Sequence, residues 1–247
     1  MTRIFVVKQT VWTEKSFGES VKFFPAVGAV LGICCAIVVG VLNFFTAGNL
    51  SLLVGAIGFA ALILLTGGIH CDGLMDSADG LFSGREREKI LEIMKDSRAG
   101  SFGVVSMILV AALDIAALSE LANFSTANLC AAIFSAPIIG RLMMVATIGK
   151  FPYARREGMG KAFAQFTTRK TILFAAVEAT TLIALLAFVD VKFFVTALLA
   201  TLGAALVTWR FATFATEKIG GVTGDIYGAV TTLSETVALI IFALSNS

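Results

Sequence analysis

The chain has 247 residues, 57% of them hydrophobic and only 15% charged, with a mean hydropathy of +0.91. A soluble domain carries about 25% charged residues, so a water-soluble fold is excluded and the composition is that of an integral membrane protein. A net charge of +2 is too small to argue for nucleic acid, and the cysteines, Cys34, Cys35, Cys71 and Cys130, lack the spacing of a zinc site or a disulfide framework.

Residues 1–25 mix Arg3, Lys8, Lys15 and Lys22 with Phe5, Val6, Trp12, Phe17, Phe23 and Phe24. This predicts an interfacial helix with aromatic anchors that ends at Pro25, or an ordinary lead-in to the membrane. No short apolar run with a small-residue cleavage site precedes the first hydrophobic segment, which is expected to be retained. Apolar runs follow at 26–46, 50–66, 102–121, 127–149, 171–189, 192–209 and 229–244. A spanning helix needs about 20 apolar residues, and continuous rather than alternating apolarity excludes a β-barrel. The expected fold is therefore all-α, a polytopic membrane helical bundle of about seven transmembrane helices, forming one catalytic domain over residues 1–247. Small residues four apart, Gly28 and Gly32, predict close helix packing.

Lysine and arginine set the orientation. The N-terminal stretch holds four, the 67–101 segment holds Arg85, Arg87, Lys89, Lys95 and Arg98, and the 150–170 segment holds six. The alternate connections near 47–49 and 122–126 hold none. The positive-inside rule then places the N-terminus and the 67–101, 150–170 and 210–228 segments in the cytoplasm as active-site loops, with the C-terminus outside.

Those loops carry the polar motifs. Seven of the 17 acidic residues and the only histidine lie between Gly67 and Gly103. Asp72, Asp76 and Asp79 are spaced four and three apart, so on a helix they share one face. Stacked carboxylates repel one another and call for a cation; oxygen ligands suit Mg²⁺, which bridges carboxylates to substrate phosphates. Glycines at 67, 68, 73 and 80 are expected to let a ligand approach the backbone. His70 either takes a proton from an attacking hydroxyl or orients a carboxylate.

Lys95, Asp96, Ser97 and Arg98 precede a helix start at Gly100–Gly103 and are expected to hold an anion there. Arg141 lies inside an apolar run and must face a polar cavity or a carboxylate, because burying it alone is expensive. Arg155, Arg156 and Lys161, with Gly158 and Gly160, can wrap phosphates or serve topology alone. Asp225 after Gly224 reads as a helix N-cap or a metal ligand. Asp114, Glu178 and Glu235 fall in or near apolar runs and receive no role.

Taken together, GGIHCDGLMDSADGLFSG, KDSRAGSFG, the Arg141 segment, PYARREGMGKAF and GGVTGDIYGA, in that order, make nearly the whole chain resemble the cobalamin (5'-phosphate) synthase family. The resemblance implies an Mg²⁺-dependent membrane phosphotransferase, an adenosylcobinamide-GDP ribazoletransferase. In that reaction a ribose hydroxyl of α-ribazole, or of its 5'-phosphate, displaces GMP from adenosylcobinamide-GDP, closing the nucleotide loop of vitamin B12. It would take place at the bacterial inner membrane. The resemblance implies His70, Asp72, Asp76 and Asp79 as catalytic, and Asp72, Asp76, Asp79 and Asp225 as metal ligands. Lys95, Asp96, Ser97, Arg98, Arg141, Arg155 and Lys161 would bind phosphates. The bilayer is the expected partner, and a homo-oligomer is left open. A CDP-alcohol phosphotransferase is the neighbouring reading, but Asp72-Gly73 is followed by Leu74-Met75-Asp76-Ser77 rather than the Ala-Arg pair of that family's pattern. A transporter would place its charges near the midplane, often on repeated halves; here they gather in loops on one side.

Overall fold

The computed structural model describes residues 13–245. Expectations resting on Arg3, Phe5, Val6, Lys8 and Trp12 lie outside the described residues. Short helix α1 (Glu14–Glu19) and a 3-10 turn (Ser20–Phe23) lead into α2 (Phe24–Thr46). Pro25 starts α2 rather than ending the segment before it. Its missing N–H is one of those a first helical turn leaves free in any case.

Then come α3 (Ser51–Thr66), α4 (Ile69–Leu81), α5 (Arg87–Ile93), α6 (Ser101–Phe124) and α7 (Thr126–Lys150). They are followed by α8 (Met159–Phe166), α9 (Arg169–Ala184), α10 (Val191–Ile219) and α11 (Gly224–Leu244). Six of the described helical stretches are long and apolar enough to cross a membrane. Helix α3 makes a seventh crossing only in company with α4, and the two bend by 92° where Gly67 and Gly68 take φ of +69° and +74°. Helix α4 therefore lies across the bundle rather than along it. Alternation of the crossings gathers the N-termini of α2, α6, α9 and α11 and the C-termini of α3, α7 and α10 at one end.

Helices α7 and α11 are the centre of the bundle. In their most apolar windows 83% and 67% of residues are buried, against 22–39% for the other spans. The outer helices turn apolar side chains such as Phe44, Phe45 and Phe188 outward, as a lipid-facing surface requires. Gly28 and Gly32 do bring α2 onto α7: a Cβ at either would stand 2.4–2.5 Å from the carbonyl oxygen of Pro137 or Phe134. Phe163 stacks on Phe17 at 4.5 Å and meets Phe24 edge-on at 5.5 Å, tying α8 to α1 and α2.

The expected loops are shorter than apolarity suggested. Residues 210–219 continue α10, and only 220–223 connect it to α11. Arg210, Glu217 and Lys218 end the apolar run, but backbone hydrogen bonding continues until Gly220 at φ +78°. The 67–101 and 150–170 segments likewise contain α4, α5 and α8.

Candidate active site

Helix α4 carries two unlike faces. His70, Leu74, Ser77 and Leu81, spaced four, three and four, are buried; Asp72, Asp76 and Asp79 lie on the more open side. The buried face packs on α11, where Gly73 and Gly228 permit near backbone-to-backbone approach. A Cβ on Gly73 would lie 2.7 Å from the Asp225 carbonyl oxygen, and one on Gly228 3.2 Å from that of His70. The glycines among the aspartates thus serve helix packing and the turn before α4, and Gly73 also lines the cleft that Asp72 shares with Asp225. This packing sets Asp225 against the acidic face, so that Asp76 feels Asp72, Asp79 and Asp225 together, opposed by Arg155.

Asp72 and Asp225 share a cleft of ≈280 Å³ with Gly160, Phe163 and Tyr227. A wider groove of ≈570 Å³ lies on the other face of α8, lined by Glu14, Phe17, Glu157, Lys161 and Gln165. Asp225 is not the N-cap of α11. Thr223 fills that role, accepting from Ile226 N at 3.4 Å, while Asp225 pairs with Arg155 at 2.8 Å and accepts from Thr223 Oγ1 at 3.2 Å. The loop bearing Arg155 is held in register by the Tyr153–Val222 bridge: Ala154 N donates to Val222 O and Val222 N to Pro152 O, at 2.9 and 2.8 Å. Gly221, at φ +157°, lets the two segments meet; a Cβ there would lie 2.3 Å from Pro152 O. Burial pushes the Tyr153 phenol above its ordinary range, which already leaves it protonated at neutral pH.

Asp79 faces a different partner. Its two oxygens accept from Gly100 N at 2.7 Å and Gly103 N at 2.8 Å, capping α6 from another helix. The start of α6 does bind an anion, as expected of a helix N-terminus, but that anion is the protein's own carboxylate. Arg98 folds back onto Asp96, with contacts of 2.6–3.2 Å, and both belong to the exposed connection before α6. Its hydrogen bonds hold the Asp96 carboxyl down at about 2. Lys95 and Ser97 are exposed in the same turn. Lys161 donates to Arg156 O at 2.8 Å and faces the groove rather than the cleft.

Replacing Asp79 by Asn keeps one carbonyl acceptor and puts a donor against the second N–H. Losing a helix cap outright costs about 0.5–2 kcal/mol, so Asp79→Asn, which keeps one of the two bonds, should lower thermal stability in detergent by no more than that. The Mg²⁺ dependence of activity should stay close to wild type; titrating both properties checks this.

Arg141 is also removed from the cleft. Its side chain is 1% exposed and pairs with Glu235, itself 12% exposed, across the α7–α11 contact. The same guanidinium reaches His70 Nδ1 at 3.3 Å. The carboxylate that a buried Arg141 required is thus Glu235, one of the acids left without a role. Another, Glu178, accepts from Ala26 N at 3.2 Å near the start of α2. Arg87, read only as topological charge, donates to Ile219 O and Ala154 O at 2.8 and 3.1 Å, closing the end of α10 onto the Arg155 loop.

Among the described residues no three His, Cys, Asp or Glu side chains converge into a preformed metal cage. Mg²⁺ ordinarily takes one or two carboxylates and completes its shell with phosphate oxygens and water. Asp72 and Asp76, one turn apart on α4 and facing Asp225, provide an oxygen donor set of that kind.

Comparison with known proteins bears on what this arrangement serves. Adenosylcobinamide-GDP ribazoletransferase of Desulforamulus reducens is 39% identical, over 98% of this chain and 93% of that protein. The protein of the same name from Acetivibrio thermocellus is also 39% identical, over 99% of this chain and 94% of its own length. That of Desulfitobacterium hafniense is 35% identical, over 97% and 92%. No solved structure matches the chain. The Cobalamin-5-phosphate synthase family model matches residues 1–243, and with relatives this similar along their whole length, the chain belongs to the cobalamin-5-phosphate synthase family.

Proposed function

We propose that this membrane transferase moves the adenosylcobinamide-phosphate group of adenosylcobinamide-GDP onto α-ribazole or its 5'-phosphate and releases GMP. What supports the reading, beside the family, is the acidic face of α4 set against Asp225 at a cleft, with Arg155 beside it. Asp72, Asp76 and Asp225 would hold Mg²⁺, which when bound neutralises diphosphate charge and steadies the leaving oxygen. Arg155 and Arg156, with Lys161 in the adjoining groove, supply positive potential for the phosphates. The acceptor hydroxyl oxygen forms a bond to the cobinamide-linked phosphorus, the bond from that phosphorus to the GMP oxygen breaks, and the hydroxyl proton passes to a cleft carboxylate. The small cleft suits the phosphates and ribose, and the bulky corrinoid lies outside it toward the wider groove. In this reading the motif-bearing end of the bundle faces the cytoplasm at the inner membrane, in keeping with its lysines and arginines.

The test is GMP release by purified protein in liposomes supplied with adenosylcobinamide-GDP and either acceptor. Release should stop on chelation and return with Mg²⁺. Well-folded protein that releases no GMP with either acceptor would sink the reading, and the ratio of rates identifies the acceptor.

A further inference from the structure

His70 is the chain's only histidine, and its surroundings say what it does. The residue lies on the buried face of α4, is 5% exposed, and lines the cleft beside Asp72 and Asp225. At Nδ1 it meets the Arg141 guanidinium. A guanidinium only donates hydrogen bonds, so Nδ1 accepts and the proton of the neutral ring sits on Nε2. Arg141 is in turn held by Glu235, so this arrangement has little freedom to reverse.

Nε2 is buried without a partner. Besides the cleft, His70 lines a small cavity of ≈20 Å³ with Thr66, Cys71, Asp114, Thr232 and Glu235. Two more of these residues present a buried polar atom without a partner, Asp114 Oδ1 and Thr232 Oγ1, and each residue is over nine-tenths buried. A cavity needs about 10–15 Å³ and two to four polar partners to hold one water. This one has the volume for a single molecule and partners of the right kind. A water there would accept from His70 Nε2–H, donate one hydrogen to Asp114 Oδ1 and share a hydrogen bond with Thr232 Oγ1. Asp114 Oδ1 and Nε2–H otherwise stay unsatisfied among membrane helices, where that is costly.

We infer that His70 is a positioning residue, gripped at Nδ1 by the Arg141–Glu235 pair and at Nε2 by one internal water shared with Asp114 and Thr232, and that it does not accept the substrate's proton. Its main chain packs on Gly228, and the double grip fixes the first turn of α4, which carries Asp72 and is followed one turn later by Asp76. The inference builds on the proposed reaction by leaving proton acceptance to the cleft carboxylates. The arrangement itself needs no substrate, so it can be tested apart from that reaction.

A single histidine makes the decisive measurement direct. Protein labelled with ¹⁵N-histidine, purified through a histidine-free tag and placed in nanodiscs, should give one imidazole with Nε2 protonated and Nδ1 bare. The Nε2 proton should show magnetisation transfer to a water, and Thr232→Val should alter that signal. A ring protonated at Nδ1, or an Nε2–H with no water contact, overturns the inference whether or not GMP is released. For the role, His70→Asn keeps an amide oxygen to accept from Arg141 but offers no basic nitrogen. GMP release within about tenfold of wild type is expected, whereas losing a general base costs about 10²–10⁴-fold. A folded His70→Asn protein slowed by about a hundredfold or more overturns it.

Discussion

Asp76→Asn should slow Mg²⁺-dependent GMP release by about 10²–10⁴-fold, the range expected when a charge or proton acceptor at the reacting centre is removed, while the folded protein becomes no less stable. Both halves follow from one arrangement. Asp76 lies between Asp72 and Asp79 on α4 and feels Asp225 across the α4–α11 contact, with Arg155 the opposing cation. Without a divalent ion these carboxylates repel, so replacing the middle one by an uncharged amide of the same size relieves strain in the protein alone. With the ion and substrate present, the same change removes an anionic oxygen that Mg²⁺ requires. The expected signature is a melting temperature in chelator equal to or above wild type, with a raised Mg²⁺ requirement and collapsed turnover. A substitution that merely damaged the fold would lower both. Turnover within tenfold of wild type would remove Asp76, and the acidic face with it, from the mechanism.

The second large effect is on stability. Arg141→Met leaves Glu235 unpaired between α7 and α11, near the middle of the bundle, and strips the donor from His70 Nδ1. Breaking a buried pair by removing one partner costs about 3–5 kcal/mol, because the surviving charge has neither water nor a counter-ion. Replacing both partners by apolar groups of similar volume is often near neutral. Arg141→Met should therefore lower thermal stability strongly, and Arg141→Met with Glu235→Leu should recover most of the loss. Activity should not return with stability, because α4 still lacks its hold at His70. Melting in detergent and GMP release on the three variants separate these outcomes. Equal stability of the single and double variants would mean that Glu235 does not depend on Arg141.

These residues also show where sequence reasoning stopped. The acidic face of α4 was legible because the D-x3-D-x2-D spacing carries its own geometry once the segment is helical. His70 shares the buried face of α4 with Leu74, Ser77 and Leu81, and its nearness to Asp72 in the chain does not reveal that its Nδ1 meets Arg141 on another helix. Asp79 looked equivalent to Asp72 and Asp76 by spacing. What distinguishes it is the start of α6, two helices along the chain, whose N–H groups take both its oxygens.

By itself the sequence determined a membrane bundle, its approximate spans, the gathering of charge at one end and membership of a family. Each rests on composition, on periodicity along one helix, or on motifs read in order, and these are properties of neighbouring residues. The tertiary structure alone decided which polar groups reach the cleft and which are spent holding it together. Arg141 with Glu235, Asp225 with Arg155, and Asp79 with the first turn of α6 are pairings between segments far apart in the chain. In a bundle whose outer faces meet hydrocarbon, a buried charge must find its partner on whichever helix packs beside it. That neighbour is chosen by close approaches such as Gly73 on Gly228, a contact between helices that spacing along either one does not encode.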